Sequence, residues 1–161
     1  MIDSNAPIHF LLVEDDDIDV RVMERGFRQQ GVNHPIVRAK DGQEALDLLR
    51  GVDGKSPPDW PYIVLLDINM PRMNGLEFLE EIRSDPDLCR TIVFVLTTSD
   101  DDKDIVAAYS NFVAGYLVKT ESVDKNIDNI RLITQYADTA RFIATPPIPM
   151  LNRSNPVTSW A

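Results

Sequence analysis

The sequence offers little to a nucleic acid, a membrane or a disulfide-forming compartment. Its 16 lysines and arginines face 26 aspartates and glutamates, a formal net charge of −10. Such a balance repels phosphate backbones and anionic lipid, so neither nucleic acid nor membrane is expected as a main partner. Cys89 is the lone cysteine of 161 residues. An internal disulfide is therefore excluded, a reducing cytosol is the expected setting, and the thiol is expected to fill a small place in the core. No apolar run approaches the ~20 residues that cross a bilayer. The opening MIDSNAPIHF has neither the basic start nor the long apolar stretch of a signal peptide. A cytoplasmic protein is expected. With 43% hydrophobic and 26% charged residues, the chain suits one domain with a real core.

Short apolar runs alternate with segments of helical period. Phe10-Leu11-Leu12-Val13 reads as a strand, and 18–30 as a helix with Ile18, Val22 and Phe27 on one face, stopped by Gly31. Pro35-Ile36-Val37 is a weaker strand signal before a helix carrying Ala45, Leu46 and Leu49. Tyr62 to Leu66 is fully apolar, and 75–84 is helical with Leu76, Leu79 and Ile82 inward. A fourth strand spans Thr91 to Leu96. Ile105, Ala108, Tyr109 and Phe112 then follow the spacing of an amphipathic helix. Gly115 to Val118 is the fifth strand, and Ile127, Ile130 and Ile133 mark a last helix to about 140. Five strand-then-helix units predict a parallel sheet covered by helices on both faces. A Pro/Gly-rich loop, 51–61, and a Pro-rich tail, 145–161, stand outside the pattern. There is no internal repeat, and no second domain is expected after 140.

The residues after the strong strands form a set. The first strand ends in Glu14-Asp15, the third in Asp67, the fourth in Thr97 and the fifth in Lys119. In an open parallel sheet these positions gather at the carboxyl edge, where such folds bind ligands. If the first and third strands are neighbours, as in the flavodoxin-like order 2-1-3-4-5, three carboxylates come together, because paired strands lie ~4.8 Å apart. Like charges so close raise one another's pKa unless a cation compensates. Oxygen-only ligands with positions left for water suit Mg²⁺. A carboxylate beside that ion, a lysine and a hydroxyl is a phosphoryl-transfer arrangement, with aspartate as nucleophile. Each residue alone has an ordinary explanation. Glu14-Asp15, and Asp16 and Asp17 after them, suit a helix N-terminus; Thr97 suits a turn and Lys119 a surface. Only the joint pattern carries the chemistry.

The motifs VEDD, LLDINMPRMNG, VLTTS and GYLVK resemble the receiver domain of two-component response regulators, over residues 8–140. Thr97 and Lys119 stand at the family's distances beyond Asp67. The resemblance implies a flavodoxin-like (βα)5 three-layer sandwich, with 141–161 as a C-terminal extension. It implies Asp67 as phosphoacceptor, and Glu14, Asp15 and Asp67 with the backbone carbonyl of Asn69 as Mg²⁺ ligands. Thr97 and Tyr116 become the switch pair, and Lys119 binds a phosphoryl oxygen. The family usually has proline after the lysine, commonly through a cis bond; here Thr120 follows. A cis bond costs ~2.5–4 kcal/mol before a non-proline residue against ~0.5–1 before proline, so this loop is either trans and differently shaped or strained. The Pro/Trp loop, the acidic run Asp100 to Asp102 and the stretch DPDLCRTIVFVLTTS further resemble small bacterial single-domain regulators paired with phytochrome histidine kinases.

That resemblance implies a signalling protein rather than an enzyme, with only Mg²⁺-dependent self-phosphorylation and self-dephosphorylation. A histidine kinase, of bacteriophytochrome type, is the expected donor, and a protein rather than DNA the expected downstream target. Relay of the phosphoryl group to a histidine phosphotransfer protein is the alternative, and the sequence does not separate the two. A phosphatase of haloacid-dehalogenase type would need an aspartate two positions after the nucleophile, where Asn69 stands. A receiver that takes no phosphate is disfavoured by the intact set of Glu14, Asp15, Asp67, Thr97 and Lys119. Asn69 and Ser99 flank the site and are placed to position water. In the tail, four prolines within 146–156 forbid helix, while Ile148, Met150, Leu151, Val157 and Trp160 are costly to hydrate. A homodimer held by the last helix and this arm is expected.

Overall fold

The computed structural model describes residues 7–120 and 123–142. Its elements alternate throughout: β1 (His9–Val13), α1 (Asp17–Gln29), β2 (Ile36–Ala39), α2 (Gly42–Arg50), β3 (Tyr62–Leu66), α3 (Gly75–Ser84), β4 (Val93–Thr97), α4 (Asp102–Ser110), β5 (Gly115–Val118) and α5 (Val123–Thr139). All five strands pair in parallel in the order β2-β1-β3-β4-β5, the flavodoxin-like order expected from the sequence.

Strand side chains alternate between two cores, which is why the runs are apolar at every position. Leu11, Val13, Val64, Leu66, Val93 and Val95 pack with Ala45, Leu46 and Leu49 of α2 and Phe78, Leu79 and Ile82 of α3. Phe10, Leu12, Ile63, Leu65, Phe94 and Leu96 pack with Val20, Met23 and Phe27 of α1 and Ile130, Ile133 and Ala137 of α5. Short polar residues start the helices at the carboxyl edge. Asp16 accepts from the backbone N–H of Ile18 and Asp19, Asp41 from that of Glu44, and Asp101 from that of Lys103. Asn74 and Glu77 form a reciprocal capping box at α3.

Four details differ from the sequence reading. The inward stripe of α1 is Val20, Met23 and Phe27, while Ile18 is 71% exposed. At 3.6 residues per turn, a residue two places from Val20 lies on the opposite side of the helix. Helix α4 ends at Ser110, so Phe112 cannot continue its stripe; Phe112 has φ 56° and is 80% exposed, and Tyr109 is exposed too. Ala108 is the buried residue of α4. Cys89 is half-buried rather than a core residue, its thiol donating to the Pro86 carbonyl at 3.6 Å. Strand β4 runs on to include Thr97. The expected arm lies outside the described residues except for Arg141 and Phe142, of which Phe142 packs against the α1–α5 core. Among the described residues, no helix is long and apolar enough to cross a membrane.

Ile133, with no exposure, fills the core between sheet and α5. Ile133→Ala is expected to destabilise the fold by about 2–5 kcal/mol. In urea unfolding this appears as a lower midpoint at an unchanged slope.

Candidate functional site

Parallel register ends β1 level with β3, and β4 level with β5 two residues further on, all at one edge. Val13 pairs with Leu66, Leu66 with Val95, and Thr97 with Val118. The bonding continues one step past the strands: Asp67 N–H donates to the Val13 carbonyl at 3.0 Å, Glu14 N–H to Ala39 at 3.0 Å and Lys119 N–H to Thr97 at 2.7 Å. The chain cannot deliver these side chains anywhere but the carboxyl edge.

Glu14, Asp67 and Thr97 are buried there and Asp15 is exposed. Carboxylate oxygens of Glu14, Asp15 and Asp67 lie within 4.8 Å of one another. The buried Thr97 side chain stands close enough to Asp67 to draw its carboxyl pKa down, and its hydroxyl accepts from Ser99 N–H at 3.3 Å. Lys119 Nζ donates to Glu14 Oε2 and, at 2.9 Å, to Asp19 Oδ2, and stands 4.0 Å from Asp67 Oδ1. Burial pushes the Glu14 carboxyl up to about 7 against the pull of Lys119, with the Asp67 charge adding to the rise. Burial likewise raises Asp67 above the ordinary carboxylate range, opposed by Lys119 and Thr97. Burial alone would lower Lys119, but the charges of Glu14 and Asp67 outweigh it and its pKa rises, so the ammonium is retained. Three clustered carboxylates share one lysine, an excess of anion that suits a divalent cation bound through oxygen.

Surrounding loops hold this geometry. Arg38 of β2 donates to the carbonyls of Glu14 at 3.1 Å and Asp15 at 3.0 Å, and to Asp17 Oδ1 at 2.6 Å. It clasps the acidic loop from the side. After β3, Gly75 N–H donates to the Ile68 carbonyl at 2.8 Å. A Cβ at Gly75 would stand 2.3 Å from the Asp67 carbonyl oxygen, so only glycine allows the chain to pass so close behind Asp67. Asn69 is exposed in the same loop, two positions beyond Asp67. Arg72 pairs with the buried Asp41, tying this loop to the start of α2.

Tyr116 is half-buried, its hydroxyl donating to the Ser99 carbonyl at 3.0 Å, while Ser99 Oγ bonds Asp104 Oδ2 at 2.6 Å. The Lys119–Thr120 peptide is trans; the cis bond among the described residues is Trp60–Pro61. The Asn126 side chain accepts from Thr120 N–H at 3.0 Å and donates to the Thr120 carbonyl at 2.8 Å. Two bonds to one amide shape the turn without proline. The structure thus brings together Glu14, Asp15, Asp67, Thr97 and Lys119, with Asn69 beside them and Tyr116 one loop away. Arg38 and Asp19 escaped the sequence reading. Asp19 lies in the first turn of α1, where an acidic residue reads as ordinary helix N-terminal chemistry.

An open parallel α/β sheet in the order β2-β1-β3-β4-β5, with clustered carboxylates and a lysine at its carboxyl edge, defines a flavodoxin-like receiver architecture. The response regulator receiver domain model matches residues 10–131, and the chain belongs to that family. It is 36% identical over 121 residues to response regulator Rcp1 of Synechocystis sp., covering 75% of this chain and 82% of that protein. Its fold matches the phosphorylated cyanobacterial phytochrome response regulator RcpA with TM-score 0.74 and 30% identity, over 87% of this chain and 100% of that one. The Mn²⁺-bound form of Rcp1 matches with TM-score 0.75 and 31% identity, over 86% of this chain and 100% of that one. The chain is a CheY-like response regulator, of the type that includes phytochrome-associated members.

The raised Glu14 pKa has a pH signature. The folded chain holds that proton more tightly than the unfolded chain, whose carboxyl titrates near 4.5. Glu14 therefore favours folding below that pH, and its contribution is lost as pH rises through about 7. Without metal, the urea midpoint of the wild type should fall over this window relative to Glu14→Gln. Divalent-cation affinity should run the other way, weakening by about tenfold per unit below pH 7 as protons compete. Isothermal titration with Mg²⁺ or Mn²⁺ across pH 5.5–8 measures it.

Proposed function

We propose that this chain receives a phosphoryl group on Asp67 from a histidine kinase and signals through protein contacts. The observation that carries the reading is the buried Asp67 with Lys119 4.0 Å away, among carboxylates within 4.8 Å of one another and beside the buried Thr97 at the end of β4. One Asp67 oxygen attacks phosphorus, the P–O bond forms as the P–N bond of the donor phosphohistidine breaks, and the electron pair stays on the imidazole nitrogen. Glu14, Asp15 and Asp67, with the backbone carbonyl of Asn69, would hold Mg²⁺, whose charge offsets that of the phosphoryl oxygens. Lys119 donates to one of those oxygens. Thr97 turns its hydroxyl onto the phosphoryl group, and Tyr116 leaves the Ser99 carbonyl to turn inward behind it. Acetyl phosphate can substitute as donor. The Mg²⁺-dependent chemistry is confined to phosphorylation and dephosphorylation of the chain itself.

In this reading the receiver domain spans 8–140 and 141–161 is an extension. The likeness to RcpA, a phytochrome response regulator, supports a histidine kinase of the phytochrome class as donor, with this chain itself cytoplasmic. A downstream protein is the target. A homodimer through α5 and the extension belongs to the same reading: sedimentation should give a dimer for the full chain and a monomer for a chain ending at Ala144, and the same state in both contradicts it.

Incubated with acetyl phosphate and Mg²⁺, the wild type should gain the mass of one phosphate and Asp67→Asn none. Gain by that variant moves the acceptor elsewhere. Thr97→Ala should still accept phosphate but lose the switch, which needs a preference of about 1–3 kcal/mol between states. Amide exchange across 100–120 reads this: an equal response to beryllofluoride in wild type and variant contradicts the role of Thr97.

A further inference from the structure

Lys119 is held by more carboxylate than its phosphoryl-binding role requires. An ammonium has three protons to donate. One goes to Glu14 and one to Asp19 Oδ2 at 2.9 Å, while Asp67 Oδ1, at 4.0 Å, is beyond hydrogen-bond reach. The lysine is thus turned toward its neighbours and off the acceptor. Asp19 sits in the first turn of α1, its backbone N–H donating to the Asp16 cap at 3.1 Å. It lines, with Lys119, Thr120 and Asn126, a cavity of about 370 Å³ beside the site.

The two carboxylates holding Lys119 differ in what it costs to release it. The Glu14 side chain is 2% exposed, and in the metal-free chain losing its counterion would leave a buried, uncompensated charge. The Asp19 side chain is 37% exposed, so water can replace the lysine there. Asp19 is therefore the contact that gives way. We propose that Asp19 is a positioning residue that holds the Lys119 ammonium in reserve, off Asp67, until Asp67 bears a phosphoryl group. The inference rests on Asp67 as phosphoacceptor. Removing the Asp19 charge acts twice in one direction: it frees the lysine, and it takes a negative charge from the neighbourhood of an arriving anion.

The test uses the full chain at saturating Mg²⁺, with beryllofluoride as the phosphoryl mimic and the Thr97 amide signal as the reporter of binding. Asp19→Asn should bind beryllofluoride about threefold or more tightly than wild type, within the range a partly exposed ion pair supports. Asp19→Glu, which keeps the charge, should return toward wild type. The Lys119 ¹⁵Nζ resonance of the beryllofluoride-free chain should move in Asp19→Asn and remain near its wild-type position in Asp19→Glu, a response that a merely structural residue would not give. Equal or weaker binding by Asp19→Asn, or an unmoved Nζ signal, overturns the proposal. If the wild type itself shows no Mg²⁺-dependent beryllofluoride binding, the phosphoacceptor reading fails first.

Discussion

The structure turns on one ammonium among carboxylates. Glu14 and Asp67 are buried at the end of a wholly apolar sheet, where an unpaired charge would be expelled or protonated. Lys119 compensates both, but a single positive charge does not balance Glu14, Asp15, Asp19 and Asp67 together. The remainder makes the site attractive to a divalent cation. It also explains why burial raises the carboxyl pKa values despite the lysine. Stability and binding are thus opposed at this edge, as at many functional sites.

The remaining architecture serves that constraint. Two cores, one on each face of the sheet, hold β1, β3, β4 and β5 in a register that puts Glu14 level with Asp67 and sets Thr97 one residue and Lys119 two residues further along the same edge. Arg38 holds the acidic loop by its carbonyls, and Gly75 lets the chain turn directly behind Asp67. The Asn126 side chain bonds both the N–H and the carbonyl of Thr120, the residue that stands after Lys119 where the family commonly has proline. Different local chemistry reaches a similar end: a lysine held at the strand terminus.

What was legible in the sequence was periodic or punctuated. Tyr62–Leu66 and Gly115–Val118 are apolar runs between turn residues, and 75–84 carries a capping box at its start, so those elements match their expected bounds. The five clustered residues were legible because each stands at, or just beyond, the end of a strong strand. Where periodicity misled, backbone geometry decided. Phe112 fits the helical spacing, yet it takes a left-handed conformation after α4 has ended. Ile18 is apolar but lies on the wrong side of α1. Arg38 and Asp19 act through pairs that join β2 to the β1–α1 loop and α1 to β5, and a contact between distant segments leaves no local pattern. The Lys119–Thr120 bond is trans, one of the two alternatives the sequence leaves open, and the Asn126 side chain holds both backbone groups of Thr120.

The most direct measurement traps the acyl phosphate itself. Borohydride reduction of chain treated with acetyl phosphate and Mg²⁺ converts a phosphoaspartate to homoserine, and peptide sequencing by mass spectrometry locates it. The account predicts homoserine at position 67 and nowhere else, and none when Mg²⁺ is chelated. Homoserine at another aspartate, or its appearance without a divalent cation, would contradict the claim that this cluster of carboxylates and lysine is built around Asp67.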